Sequence, residues 1–277
     1  MRTRSLGARW GLAIASALVI LFVLAPIYWM LATSFKTTAG VSAQPPQWFP
    51  SPASIENYTL AFTQNNFGQY ILNSLIVAIV STAAVLVFGT LAGYALGRLP
   101  MRGKFTILVS LLMISVFPAI ALIAPLYLLM RDISWLNSYQ ALIVPYTALN
   151  LPFAIWILRN YFVGVPKEME ETARIDGASP LRTVWSVVLP MALPGLFTAG
   201  IFAFTACWTE FLMALSFNSA DNFRTIPVGI ALFGSAHITP YGTIFAASAV
   251  AVVPIAVLVL VFRKSVVSGL TSGAVKG

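Results

Sequence analysis

Six apolar stretches, each long enough to cross a bilayer, constrain this chain more than any other feature of its sequence. A helix rises about 1.5 Å per residue, so roughly 20 mainly apolar residues cross a hydrocarbon core about 30 Å thick. Residues 11–34, 70–96, 105–130, 139–158, 191–217 and 244–262 pass that test, and five of the six carry no formal charge. Of the 277 residues, 59% are hydrophobic and 9% charged, far from the roughly 45–50% and 25% of soluble domains. The expected fold is all-α: one polytopic membrane domain over residues 1–277 with six transmembrane helices. Arg2, Arg4 and Arg9 precede the first stretch as in a secretory signal. Its apolar run exceeds the roughly 7 to 15 residues of such a signal, so it reads as an uncleaved first span.

Orientation follows from the basic residues, because loops rich in Lys and Arg stay in the cytoplasm. With both termini inside, cytoplasmic segments hold thirteen of the sixteen Lys and Arg, and the outside keeps only Lys36, Arg131 and Arg224. The net charge of +8 is thereby explained by topology, without nucleic-acid binding. Trp10, Tyr28, Trp29, Tyr70, Trp135 and Tyr139 stand near span ends, where aromatic side chains anchor at the interface.

Outside, residues 35–69 contain Pro45, Pro46, Pro50 and Pro52, a composition of turns and short helices that could meet an external partner. The one large cytoplasmic loop, residues 159–190, is where function is expected. Pro166 suits the first position of a helix, with Glu168, Glu170 and Glu171 in its first turns, where the helix dipole favours negative charge. Gly177 is a plausible helix stop, and Ser179 and Pro180 look like the cap and first position of a second helix. Leu181, Val184, Trp185, Val188 and Leu189 then fall on one apolar face. Two short helices joined at Ala173, Gly177 and Ala178 form a knob whose small side chains permit close backbone approach to another protein. Read without any resemblance, the same residues also fit a capped, solvated hairpin.

The series Glu171, Thr172, Ala173, then Gly177, then Val187, Leu189 and Pro190 resembles the EAA loop of ABC importer permeases. That pattern is E-A-A, three residues, G, nine residues, then I-x-L-P, and Thr172 and Val187 are the two departures. The end of the chain, from Gly269 through Thr271, Ser272 and Lys276 to Gly277, is similar to the tail of MalG-type subunits of carbohydrate importers. The resemblance implies a permease subunit of an ATP-driven sugar importer in a bacterial inner membrane. It implies a second, related permease (MalF-like), two ATPase subunits that bind ATP and Mg, and an extracytoplasmic sugar-binding protein. Glu171, Ala173, Asp176, Gly177, Ala178, Leu189 and Pro190 would then couple to an ATPase, with the tail of residues 263–277 at the ATPase interface. Trp208, Glu210 and Phe211 resemble the fifth-span aromatic and acidic cluster of sugar permeases, where a ring stacks on a sugar and a carboxylate accepts its hydroxyls.

Glu210 is the only ionisable residue expected within a span, and a carboxylate at mid-membrane needs water or a partner. Its bland reading is a polar packing contact. The rivals to an importer are an ion-coupled secondary transporter or channel, supported by Glu210 alone, and a membrane enzyme, for which no catalytic cluster exists in the sequence. Cys207 is the single cysteine, and His237 has no acidic or cysteine neighbours for a metal site. Gly97 and Gly103-Lys104 miss the phosphate-loop pattern, with one residue too many and Phe105 where Ser or Thr is required. Neither a catalytic residue nor a cofactor is expected in this chain. Pro118, Pro125, Pro145, Pro152 and Pro254 interrupt spans and permit bends. Gly89 and Gly93 form a G-x-x-x-G pair, a possible close-packing face.

Overall fold

The computed structural model describes the backbone of residues 6–234 and 239–271. In chain order its helices are α1 Leu6–Ser34, α2 Thr38–Val41, α3 Glu56–Gln64, α4 Phe67–Arg98, α5 Lys104–Val116, α6 Ala119–Asp132, α7 Gln140–Gly164 and α8 Lys167–Ile175. Then follow α9 Pro180–Thr183, a π-helical turn over Val184–Val188, α10 Leu189–Met191, α11 Leu193–Thr209, α12 Leu212–Phe217, α13 Ile226–Ala231 and α14 Tyr241–Thr271. Among the described residues there is no strand, only an isolated β-bridge between Lys36 and Ala53.

Four helices are long and apolar enough to cross a membrane: Trp10–Ser34, Phe67–Arg98, Gln140–Gly164 and Tyr241–Phe262. Two bent pairs raise the number to as many as six. The expected third span is not one rod, because α5 and α6 meet at 89°. Pro118 has no N–H to donate, and its ring pushes Phe117 out of the helical region, to φ −64° and ψ 132°. The expected fifth span is likewise displaced. The segment Val184–Met191 turns by 73° into α11 at Ala192, and the helix stops at Thr209 rather than running to Phe217.

The chain divides into two compact units, one of Met1–Gly68 with Gly229–Val253 and one of Gln69–Val228 with Pro254–Gly277. In the first, the span of α1 buries none of its most apolar window inside the chain, so that surface is left for lipid or another subunit. Beyond α1, the proline-rich segment folds back on its end. The Tyr28 hydroxyl donates to the Trp48 carbonyl at 2.7 Å, and Trp29 meets Trp48 edge to face. Asn57 of α3 donates to the carbonyls of Ser34 and Lys36 at 3.0 and 2.7 Å. The expectation of turns and short helices here is met by α2 and α3.

The second unit is built on α7, whose most apolar window is 56% buried. Its core joins Val85 of α4, Ala154, Leu158 and Phe162 of α7, Val188 of the π-helical turn, and Ala199 and Ala203 of α11. The G-x-x-x-G face is real and one turn longer than the pair in the sequence. A Cβ on Gly89 would lie 3.3 Å from Leu158, on Gly93 3.1 Å from the Arg159 backbone nitrogen, and on Gly97 3.3 Å from the Arg159 carbonyl. Hydrogen at these three positions lets α4 lie directly against the backbone of α7.

Candidate coupling loop and the interrupted fifth helix

The loop expected in the cytoplasm folds as two capped helices, one residue out of the expected register at its start. Pro166 is the N-cap rather than the first helical residue, because its ψ of 136° is still extended. Helix α8 ends in a Schellman motif: the Ala178 N–H donates to the Ala173 carbonyl at 2.9 Å and the Gly177 N–H to the Arg174 carbonyl at 3.0 Å. Gly177 takes φ +79° there, which a side chain resists. Ser179 caps α9, its Oγ accepting from the Arg182 N–H at 3.3 Å.

Exposure sorts the expected coupling residues. Glu171, Asp176 and Gly177 lie on the surface, Ala178 is half-buried, and a Cβ on Gly177 would meet nothing within 4 Å. Ala173 is the exception, since only 8% of it is exposed and it serves its own chain's packing. Leu189 is half-buried and Pro190 exposed. The apolar face of the second helix is only partly turned inward: Val184 and Val188 are buried, while Trp185 is exposed. Beside the tip stands Ile175, 86% exposed. Sequence reading passed over it, although an apolar residue in a run of charges was a visible signal of an outward contact.

Glu170 does something its position in the first turn did not reveal. Its carboxylate accepts from the Arg98 Nε at 2.6 Å and from the Tyr94 hydroxyl at 3.3 Å, both on α4. The Arg98 and Glu170 side chains are 6% and 10% exposed. Arg98 also donates to the Pro166 carbonyl at 3.4 Å. Arg98 had been only one of thirteen topogenic charges, because nothing in the sequence links it to a residue 72 positions away.

The fifth-span cluster is brought together around the end of α11. Trp208 is 3% exposed and stacks on Phe204 with ring centroids 5.5 Å apart. Glu210 leaves the helix at φ −67° and ψ 133°, and its carboxylate accepts from the backbone N–H groups of Met213 and Ala214 at 2.8 and 3.1 Å. The Tyr146 hydroxyl of α7 also donates to it. Phe211 is half-buried between the two helices. Cys207 is buried and accepts from the Asn150 amide at 3.8 Å.

Thr271 closes α14, with its side chain outside the described residues; Ser272, Lys276 and His237 lie outside them altogether. Among the described residues no three His, Cys, Asp or Glu gather as a metal site.

The profile of the family described as "Binding-protein-dependent transport system inner membrane component" matches residues 89–271. The chain is 42% identical over 264 residues to the sulfoquinovosyl glycerol transport system permease protein SmoH of Agrobacterium fabrum, covering 95% of this chain and 93% of that one. It is 38% identical to the trehalose/maltose transport system permease protein MalG of Thermococcus litoralis, covering 96% of each. Its fold superposes with a TM-score of 0.81 on a chain of a bacterial ABC transporter that imports the acidic polysaccharide alginate, at 22% identity, covering 95% of this chain and 99% of that one. These relationships favour the importer permease over the ion-coupled carrier and the membrane enzyme. The chain belongs to the family of inner-membrane permease components of binding-protein-dependent ABC transport systems.

Proposed function

We propose that this chain forms half of the translocation pathway of an ATP-driven importer for a disaccharide or related glycoside, without chemistry of its own. The sugar is argued from its relatives, whose names give trehalose/maltose and sulfoquinovosyl glycerol as cargo. A second permease of the same family completes the pathway, two ATPase subunits bind ATP and Mg in the cytoplasm, and an external binding protein delivers the sugar. Both termini lie in the cytoplasm, a placement supported by the distribution of Lys and Arg.

The observation that carries this reading is the exposed surface of Glu171, Ile175, Asp176 and Gly177, held by the Schellman turn at Gly177. Glu171, Ile175, Asp176 and Gly177 enter a groove of an ATPase subunit, and Ala173 supports them from beneath. Closure of the ATPases then moves the helix bundle as a rigid body and exposes the pathway to each side in turn. The tail carrying Thr271, Ser272 and Lys276 reaches the ATPase interface, and Leu189 and Pro190 set the angle at which the knob leaves α11. Trp208, Glu210 and Phe211 border the pathway through the break they make in the fifth helix.

The test is purification of the tagged chain in mild detergent, identification of its companions, and ATP hydrolysis with maltose, trehalose and sulfoquinovosyl glycerol in turn. Recovery of ATPases and a second permease, with hydrolysis stimulated by one sugar and its binding protein, supports the reading. A chain that purifies alone and transports without ATP overturns it.

A further inference from the structure

We infer that the Arg98–Glu170 ion pair, with Tyr94, is the strut that transmits movement of the coupling loop to transmembrane helix α4. This rests on the coupling role proposed for residues 171–178. Helix α8 follows α7 after only Val165 and Pro166, so covalent connection carries a push on the loop into α7. Helix α4 is distant in sequence and lies against α7 along Gly89, Gly93 and Gly97. A separate contact, polar and buried, joins it directly to α8. Glu170 sits one residue before the exposed Glu171 and is turned inward, accepting from Arg98 at 2.6 Å and from Tyr94 at 3.3 Å.

Three features make this pair fit for transmitting force. Arg98 is in the last turn of α4, and Tyr94 is one turn earlier, so both ends of the carboxylate are held by one helix face. Arg98 reaches past Glu170 to the Pro166 carbonyl at the N-cap of α8, which fixes the angle of α8 as well as its distance. Tyr94 in turn meets Phe162 of α7 edge to face, with ring centroids 5.9 Å apart, and Gly97 lies against the Arg159 carbonyl. The end of α4, the end of α7 and the coupling helix therefore meet at one buried polar joint. Replacing a buried ion pair by apolar residues of similar volume is often neutral or stabilising, so what this pair contributes distinctively is fixed geometry.

The joint separates coupling from assembly. The exposed tip determines whether the ATPases bind, and the strut determines whether their closure reaches α4. The test uses the complete importer reconstituted in vesicles, with the sugar from the maltose, trehalose and sulfoquinovosyl glycerol panel that drives hydrolysis in the wild-type complex. Glu170→Gln keeps the volume of the side chain and removes its charge. The expected complex retains its ATPases and hydrolyses ATP, while sugar imported per ATP falls about tenfold. Exchange of the charges in Arg98→Glu with Glu170→Arg is expected to restore most of that ratio. A wild-type ratio in Glu170→Gln overturns the proposal, as does a ratio the exchange fails to restore. Loss of Glu170→Gln chain from the membrane, reversed by the exchange, assigns the pair to folding and also overturns it. Loss of bound ATPases from a stably inserted Glu170→Gln chain assigns the pair to docking and overturns the strut while leaving the tip reading intact. Failure of the tip reading shows separately, as normal ATPase recovery and uptake in Gly177→Asp.

Discussion

The Tyr146 hydroxyl donates to the carboxylate of Glu210, whose two oxygens also accept from the backbone N–H groups of Met213 and Ala214. The single acidic residue of the fifth span is thus the cap of a helix that restarts two residues later. Glu210→Ala leaves those N–H groups and the tyrosine hydroxyl without their acceptor. It is expected to destabilise the detergent-solubilised chain by about 1–3 kcal/mol, and Tyr146→Phe by about 1 kcal/mol, both read as shifts in thermal unfolding. Equal, negligible shifts would remove the capping role.

At Gly177 the backbone rather than crowding restricts substitution, because φ is +79° and the space around a Cβ is open. Gly177→Ala is expected to cost about 1–2 kcal/mol locally and to lower recovery of ATPase subunits modestly. Gly177→Asp adds a charge at the tip proposed to dock and is expected to abolish co-purification while the chain still inserts. Quantitative recovery of ATPases with the aspartate variant would exclude the tip from the interface.

Close approach of α4 and α7 predicts a graded series at Gly93, where a Cβ would lie 3.1 Å from the Arg159 backbone nitrogen. Gly93→Ala is expected to cost about 1–3 kcal/mol through overpacking, and Gly93→Leu to abolish accumulation in the membrane. Immunoblots of membrane fractions check both. The same substitutions at Gly11, which has nothing within 4 Å, are expected to be silent.

Asn73 of α4 is fully buried and uses its whole amide. Its Nδ2 donates to the carbonyls of Asn222 and Arg224, each at 2.8 Å, and its Oδ1 accepts from Gln69 and Tyr139, each at 2.9 Å. Asn73→Leu preserves volume but strands four partners, with a cost of about 3 kcal/mol or more. Proteolysis within residues 218–226 is expected to become faster, and unchanged protection would argue that the loop is held elsewhere.

Burial lowers the Lys36 ammonium below the ordinary lysine value of 10.5, against the attraction of the Trp29 ring 3.9 Å from its Nζ. A depressed pKa means the unfolded chain binds the extra proton first as pH falls. The resulting stability is present above the ordinary value and lost as pH drops through the lowered one. Lys36→Met is therefore expected to unfold at higher temperature than wild type at neutral pH, with the difference shrinking as pH approaches 10.5. A constant difference across that range would contradict the assignment.

The length of the apolar runs, the bias of Lys and Arg, and the order of Glu171, Ala173, Gly177, Leu189 and Pro190 were sufficient to identify an all-α permease and to single out the loop proposed for coupling. Each is a local property: hydropathy over a span, charge within a loop, and turn chemistry at a glycine depend on neighbours in the chain. The 89° bend at Phe117 and Pro118 was foreshadowed by the proline, but its size depends on what surrounds the helix. Glu170 and Glu171 stand side by side in the sequence and look alike there. Only tertiary structure turns one inward to Arg98 and leaves the other exposed, because adjacent helical residues point about 100° apart and the packing of α4 decides which direction is buried.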